Sequence, residues 1–220
     1  MDKIYLDHNA TTPIAPEVLH IVTSVLRDQV GNPSSVHSMG RSARVLLDEA
    51  REQVASLIGA SPSEIVFTSG GTEANNLALL GVALGIGKTG GHIVTSQVEH
   101  PSVLNPCRQL ESMGFVVDRL RVDELGRIDL QSLENCLTES TLLISLQHAN
   151  SETGVLQDIE KIGEIARKKG VLFHTDAVQS VGKIPLRVQD LPVDMLSISA
   201  HKLNGAKGVG ALFLKKGSPD

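Results

Sequence analysis

The sequence predicts an α/β fold, an open and mostly parallel sheet of seven strands with helices on both faces and the last strand antiparallel. Three observations carry that reading. Short apolar runs alternate with segments of helical periodicity along most of the 220 residues. Polar residues and glycines gather where those apolar runs end. The last two runs are joined by only about nine residues, short of the dozen or more that a parallel crossover needs.

The elements follow in chain order after an irregular start. Residues 41–59, "RSARVLLDEAREQVASLIG", put Val45, Leu46, Val54, Leu57 and Ile58 near helical spacing and stop at Gly59. "EIVFTSGG" (64–71) is a short buried strand and "TEANNLALLGVALG" (72–85) a helix. "HIVTSQVEH" (92–100) is a strand, and "PSVLNPCRQLESMG" (101–114) a helix in which Pro106 is expected to break or kink the run. "FVVDRLRV" (115–122) is a strand, and "DLQSLENCL" (129–137) a helix opened by Asp129. "TLLISLQHAN" (141–150) is a strand, and "QDIEKIGEIARKKG" (157–170) a helix closed by Gly170. "VLFHTDAVQS" (171–180), "DMLSISAHK" (194–202) and "GALFLKK" (210–216) complete the strands.

Composition narrows the function classes. The chain is 41% hydrophobic and 20% charged, the balance of an ordinary soluble globular protein. Net charge is −5 with no basic block or stripe, which argues against nucleic acid as a partner. No window approaches about 18 uninterrupted apolar residues, and the start "MDKIYLDHNATTP" has no apolar leader pattern, so a cytoplasmic protein without membrane contact is expected. Cys107 and Cys136 are too few for a disulfide framework or a zinc site, so no metal is expected. With no Trp, one Tyr and four Phe, the core has to be built from Leu, Ile, Val and Ala.

In open α/β sheets ligands bind outside the carboxyl ends of the strands. Those ends offer Ser69, Gly70, Gly71 and Thr72; Glu99 and His100; Asn150, Ser151 and Glu152; Asp176 and Gln179; and Ser199, His201 and Lys202. "TSGGTE" is either an anion cradle at a helix N-terminus or a plain turn capped by Thr72. It is not a Walker A loop, because no Gly-Lys-Ser/Thr follows. "GAKGVG" opens no helix and is a turn around Lys207. Asp176 is either a carboxylate held by backbone amides or the partner of a protonated heterocycle. His100 fits an ordinary loop position before Pro101, and His174 fits packing behind the strand end. Lys202 closes an apolar strand, where an ammonium is costly unless paired or used. It either snorkels to the surface or serves as a desolvated Schiff-base nucleophile.

A phosphate cradle, an acid for a ring nitrogen and a Schiff-base lysine on one sheet edge describe a pyridoxal phosphate site. On "YLDHNATTP", "GNPSSVHSMGR", "EIVFTSGGTEANNLA", "SQVEHPSV", "ANSETGVLQDI", "FHTDAVQSVGK" and "SISAHKLNGAKGVGALF", the chain resembles the large domain of a cysteine desulfurase. That family lies in the class V aminotransferase group of fold-type I pyridoxal phosphate enzymes. The resemblance implies that Lys202 carries pyridoxal 5'-phosphate, with His100 stacked on its ring and assisting proton movement. It implies that Asp176 pairs with the ring nitrogen and Gln179 with the ring's phenolic oxygen. Gly71, Thr72, Ser199 and His201 would bind the phosphate. L-cysteine as substrate, a sulfur-acceptor or scaffold protein as partner, and a homodimer are implied in the same way. Selenocysteine lyase is the nearest alternative enzyme, and a cofactor-binding or assembly module without turnover is the alternative of another class.

Two departures from the family pattern bear on these expectations. Asn150-Ser151-Glu152 stands where the family has Asn-Asn-Glu, and Ser151 is shorter, so the second asparagine's role at the ring oxygen is not carried over to it. Family members also run to about twice this length. Residues 1–220 are therefore expected to be a truncated cofactor-binding large domain, without the small C-terminal domain and the loop of the reactive cysteine. Cys107 and Cys136 are expected to be structural, since each keeps helical spacing with leucines.

Overall fold

A computed structural model describes residues 4–85 and 90–217. Seven strands form one sheet, β1 (Ile65–Thr68), β2 (His92–Ser96), β3 (Val116–Leu120), β4 (Thr141–Ser145), β5 (Leu172–Asp176), β6 (Met195–Ser199) and β7 (Gly210–Leu214). Their order is β1-β7-β6-β5-β4-β2-β3. The pairs β2–β3, β2–β4, β4–β5 and β5–β6 are parallel. The last strand is antiparallel, as its short connection requires. It sits inside the sheet and pairs with both β6 and β1. All the other strands therefore point their carboxyl ends at one edge.

Helices cover both faces. Alternation along each strand sends Leu143, Met195 and Leu212 to one side and Ile144, Leu196 and Phe213 to the other. The first face packs against α3 (Gly71–Gly85) and α4 (Pro101–Ser112) through Ala78, Leu79, Val103 and Leu110. The second packs against α5 (Leu130–Cys136), α6 (Ile159–Lys169) and the end of α2 (Ser38–Ile58) through Leu133, Ile162 and Ile58. Each such side chain, fully removed from water, stabilises the fold by about 1.5–3 kcal/mol. The expected caps form: Asp129 accepts from the Gln131 and Ser132 amides, and Gly59 and Gly170 close their helices at φ 70° and 67°.

Three expectations are corrected. The start is not irregular throughout, because Pro16–Asp28 form a helix, α1, with Pro16 in its first turn. None of its residues is buried. Pro106 does not break α4. A helical proline leaves the carbonyl four residues earlier without its donor. That carbonyl belongs to Ser102, and the Asn76 side chain donates to it at 3.3 Å. The strands are also shorter than the apolar runs: β4 stops at Ser145 and β5 at Asp176, and His201 and Lys202 lie on a 3-10 turn, Ala200–Lys202.

Gly210 marks the tightest approach under the strand ends. A Cβ there would stand 2.6 Å from the Cα and carbonyl carbon of Gly70 and 2.7 Å from the Ile198 oxygen. Backbone on both sides cannot yield as a side chain would. Gly210→Ala is expected to destabilise the fold by about 1–3 kcal/mol and to displace the Ser69–Gly71 turn. Urea unfolding measures the first effect, and an unchanged midpoint would show that the sheet absorbs the methyl.

Candidate functional site

Parallel pairing brings the strand ends together around a cavity of about 300 Å³. Gly71 and Thr72 line it from the first turn of α3, His100 and Ser102 from the start of α4, and Ser199, His201 and Lys202 from the end of β6. Gln147, Ala149 and Ser151 follow β4, and Val178 and Gln179 follow β5. A second hollow of about 400 Å³ shares Gly71, Thr72, Ser199 and His201 and adds Thr11 and Lys207. A further cleft of about 460 Å³ lies at the opposite end of the strands, near Leu172, Asp194 and Lys215, and contains none of these residues.

One wall of the cavity presents free helix amides, the feature an anion cradle uses. The first amides of α3 have no intrahelical acceptor. Glu73 turns back to accept from the Ser69 amide at 2.5 Å, which leaves Gly71 and Thr72 facing the cavity. A Cβ at Gly71 would come within 2.7 Å of Val178 Cγ2, so glycine keeps this corner open. His201 Nδ1 lies 3.0 Å from Thr11 Oγ1, and burial and the nearby Lys202 and Lys207 charges lower its pKa.

Asp176 sits just behind the lining and is buried. Its Oδ1 accepts from the Val178 amide at 3.0 Å and its Oδ2 from Asn75 Nδ2 at 2.7 Å. Burial raises its pKa, while those donors and the Lys202 charge oppose the rise. Lys202 Nζ donates to the carbonyls of Asn9 and Ala10, the latter at 2.8 Å. Burial and the Lys183 charge lower its pKa, against the pull of Asp7, Asp176 and Glu152. His100 caps α4: its Nδ1 accepts from the Ser102 amide at 3.1 Å. Gln179 donates to the Asn9 carbonyl and accepts from Lys183 Nζ, each at 2.9 Å.

Of the residues singled out in the sequence, Gly71, Thr72, His100, Ser151, Gln179, Ser199, His201 and Lys202 line one cavity, and Asp176 lies immediately behind it. Asn150 does not join them. Its Oδ1 accepts from the Glu152 and Thr153 amides and braces the loop. His174 is fully buried between Ser145 Oγ and Ser197 Oγ, both at 2.9 Å, and burial pushes its pKa down to about 3. It is a neutral pillar. Sequence reasoning missed Asn75, Ser102 and Gln147 as site residues, and also the segment Asn9–Thr12. Asn75 follows Gly71 by one helical turn and puts an amide on the apolar face of α3, a signal that does not by itself distinguish a site residue from a helix residue. Nothing local marks the Asn9–Thr12 contacts, which are made to residues some 140 to 190 positions away.

The donor set fits a flat anionic heterocycle. It combines unpaired helix amides and a histidine at one end with a buried carboxyl lacking a cationic partner at the other. A lysine of lowered pKa adjoins that histidine on the same turn. Among the described residues no cluster of His, Cys, Asp or Glu could hold a metal ion, and no helix is long and apolar enough to cross a membrane.

Comparisons with known proteins agree with this chemistry. The family described as Aminotransferase class-V matches residues 4–218. The cysteine desulfurase IscS of Dictyoglomus turgidum is 50% identical over 98% of this chain and 55% of its own length. The IscS of Pectobacterium carotovorum is also 50% identical, over 97% of this chain and 54% of its own. Among solved structures, SspA in complex with cysteine superposes with a TM-score of 0.94 at 43% identity, covering 96% of this chain and 61% of that one. A NifS-like protein gives 0.96 at 42% identity, covering 99% and 60%. The chain spans little more than half the length of the curated relatives it matches. It belongs to the class V aminotransferase family.

Glu99 adds a pH dependence. It is buried, its Oε1 accepts from Ser96 Oγ at 2.6 Å and the Gln147 amide at 3.1 Å, and burial raises its pKa from 4.5 to about 8. Between those values the native state binds the proton that the unfolded chain releases. Stability therefore falls as pH rises through that window, by up to about 1.4 kcal/mol per pH unit. Glu99→Gln keeps an acceptor for both donors and does not titrate, so the slope should flatten. Unfolding midpoints measured across the window test this, and an unaltered slope would assign the titration elsewhere.

Proposed function

We propose that this chain binds pyridoxal 5'-phosphate and forms the cofactor-binding part of a cysteine desulfurase. Such an enzyme takes L-cysteine to L-alanine, leaving the sulfur on an enzyme cysteine for an acceptor or scaffold protein. The observation that carries the reading is the convergence of Asp176, Lys202 and the open N-terminus of α3 on one cavity. Similarity to enzymes named cysteine desulfurase over nearly the whole chain supports the substrate class.

The bound group would supply a conjugated ring able to take up electrons released from a substrate carbon. The protein's own contributions follow from the geometry. Gly71 and Thr72 amides, Ser199 and His201 would hold the phosphate. The Asp176 carboxylate, fixed by the Val178 and Asn75 amides just behind the lining, would keep a proton on the ring nitrogen. Its burial makes such a charge-assisted bond strong, because no water competes for it. Lys202 would hold the aldehyde carbon. Its lowered pKa raises the fraction of free amine, the form that attacks a carbonyl and takes a proton from carbon. Gln179 is the side-chain amide available to the ring's phenolic oxygen.

The setting is read in the same way. Both cysteines are unpaired, which agrees with a reducing, cytoplasmic compartment. Exposed apolar side chains on α1 and α2, among them Leu19, Ile21, Leu26, Met39 and Val45, support association with a second copy. A second reading, a cofactor-binding module without turnover in these 220 residues alone, is favoured by the cysteines. Cys107 is fully buried with its pKa pushed up to about 12, and burial raises Cys136 as well. Neither is the exposed, partly ionised thiol that sulfur transfer requires. Alanine formation from L-cysteine by the chain alone, with a persulfide on either cysteine, would exclude this second reading.

Borohydride reduction of the chain with pyridoxal 5'-phosphate, followed by peptide mapping, should label Lys202. A label mainly on Lys183 or Lys207 would overturn the assignment. Asp176→Asn should retain the fold and weaken cofactor affinity about ten- to a hundredfold, the value of one hydrogen bond to a charged group. The absorbance titration of the bound cofactor measures this. Affinity and spectrum equal to wild type would remove Asp176 from the ring nitrogen.

A further inference from the structure

The two faces of residue 102 are held by two consecutive asparagines. Asn76 Nδ2 reaches the Ser102 carbonyl that Pro106 leaves free, and Asn75 Nδ2 reaches the Ser102 hydroxyl at 2.8 Å. Asn75 also donates to Asp176 at 2.7 Å, and Ser102 Oγ lies 2.7 Å from His100 Nδ1. The contacts make an unbroken line, Asp176–Asn75–Ser102–His100, from behind the cavity to its lining. Asn75 is 1% and Ser102 7% exposed, so water does not compete for these bonds.

We infer that Asn75 and Ser102 are positioning residues that hold His100 as the neutral tautomer with its proton on Nε2. The direction of each bond follows from counting hydrogens. An amide nitrogen has two, and Asn75 spends both, on Asp176 and on Ser102. The reversed amide would set its oxygen against the Asp176 oxygen, two acceptors face to face. A serine hydroxyl has one hydrogen. With its oxygen accepting from Asn75, that hydrogen is left for His100 Nδ1. The Ser102 backbone amide, which can only donate, is aimed at the same nitrogen at 3.1 Å. Nδ1 is therefore an acceptor twice over, and the proton of the neutral ring lies on Nε2.

The arrangement limits what the imidazole does. Nδ1 takes a proton only if the hydroxyl turns away and the first turn of α4 gives up its cap. The resting ring offers the cavity an uncharged face and an N–H donor, and its basic nitrogen is sequestered. An uncharged ring can stack on a heterocycle whose own nitrogen is protonated without repelling it. The inference deepens the reading of the cavity as a pyridoxal phosphate site and rests on that reading only for this last step.

Nitrogen-15 spectra of the full chain, labelled at histidine, test it without cofactor. His100, assigned by the signal lost in His100→Gln, should show an acceptor-type Nδ1 and an N–H-type Nε2 where the ring is neutral. An N–H-type Nδ1, or two averaged signals, would overturn the inference, and the readout itself is taken on wild type. Ser102→Ala and Asn75→Leu should each move Nδ1 toward the position of a free lone pair, and Ser102→Thr should restore it. An Asn75→Leu spectrum identical to wild type would remove Asn75 from the chain of donors. The borohydride label separates the two claims. The Nε2–H signal without a Lys202 label defeats the cofactor reading alone, and the label with an Nδ1–H signal defeats this inference alone.

Discussion

A carboxyl group buried at the end of the central strand is the constraint to which the rest of the site answers. Removing a carboxylate from water is costly unless donors surround it. Asp176 receives only the Val178 amide and the Asn75 amide, both neutral, and its pKa rises accordingly. Both donors belong to residues that line the cavity, so the carboxyl sits directly behind it. A cation brought against it there would be held more strongly than at any exposed position. The fold thus preserves a local instability that a protonated ring nitrogen would relieve. The tolerance for it comes from the two apolar layers on which the strand is mounted.

The same face of the sheet shows how the transition from core to chemistry is made. Along β4 the inward residues run Leu143, Ser145 and then Gln147; along β5, Leu172, His174 and Asp176; along β6, Met195, Ser197 and Ser199. Because strand residues alternate, each step of two positions stays on one face and moves toward the carboxyl edge. The first residues pack against α3 and α4. The middle ones form the line Ser145–His174–Ser197, in which a histidine held neutral joins three strands and leaves no ring nitrogen unpaired. The last ones meet the cavity. A wholly apolar layer in the middle would give Asp176 no polar support from below, and a charged one would compete with it. Hydroxyls and one neutral imidazole avoid both outcomes.

This gradation explains what could be read from the sequence. The strands were legible as apolar runs, and their polar ends were legible because parallel topology sends them all to one edge. Gly71, Thr72, His100, Ser199, His201 and Lys202 were placed at that edge by this argument, without any knowledge of which strands touch, and the family resemblance singled them out there. Asn75 and Ser102 were not found, since an amide in an apolar helix and a serine in a first turn both have ordinary local explanations. Their meaning depends on α3 and α4 lying side by side, which no short stretch records. The helix α1 was missed for a different reason. It has clear helical spacing, but it buries nothing within this chain, so no strand partner or turn frames it as an element. Proline 106 misled because a broken helix is the common outcome. Here Asn76 satisfies the carbonyl that the proline strands.

The charge at the other end of the cavity completes the argument. The chain as a whole carries −5, yet Lys202 has Lys183 near it and His201 has Lys202 and Lys207 near it. Lys183 lowers the pKa of Lys202, and Lys202 and Lys207 lower that of His201. Mutual repulsion of this kind is unfavourable for folding, and the segment Asn9–Thr12 offsets it only with carbonyls and a hydroxyl. Partial negative charge on carbonyl oxygens orients an ammonium but does not neutralise it. A dianion set between His201 and the first amides of α3 would neutralise it, and would do so in a hollow whose glycine corner admits tetrahedral oxygens closely. A molecule carrying both a phosphate and a protonated ring nitrogen would answer the cationic corner and the buried carboxyl at once, and the strand ends that present the two belong to one sheet.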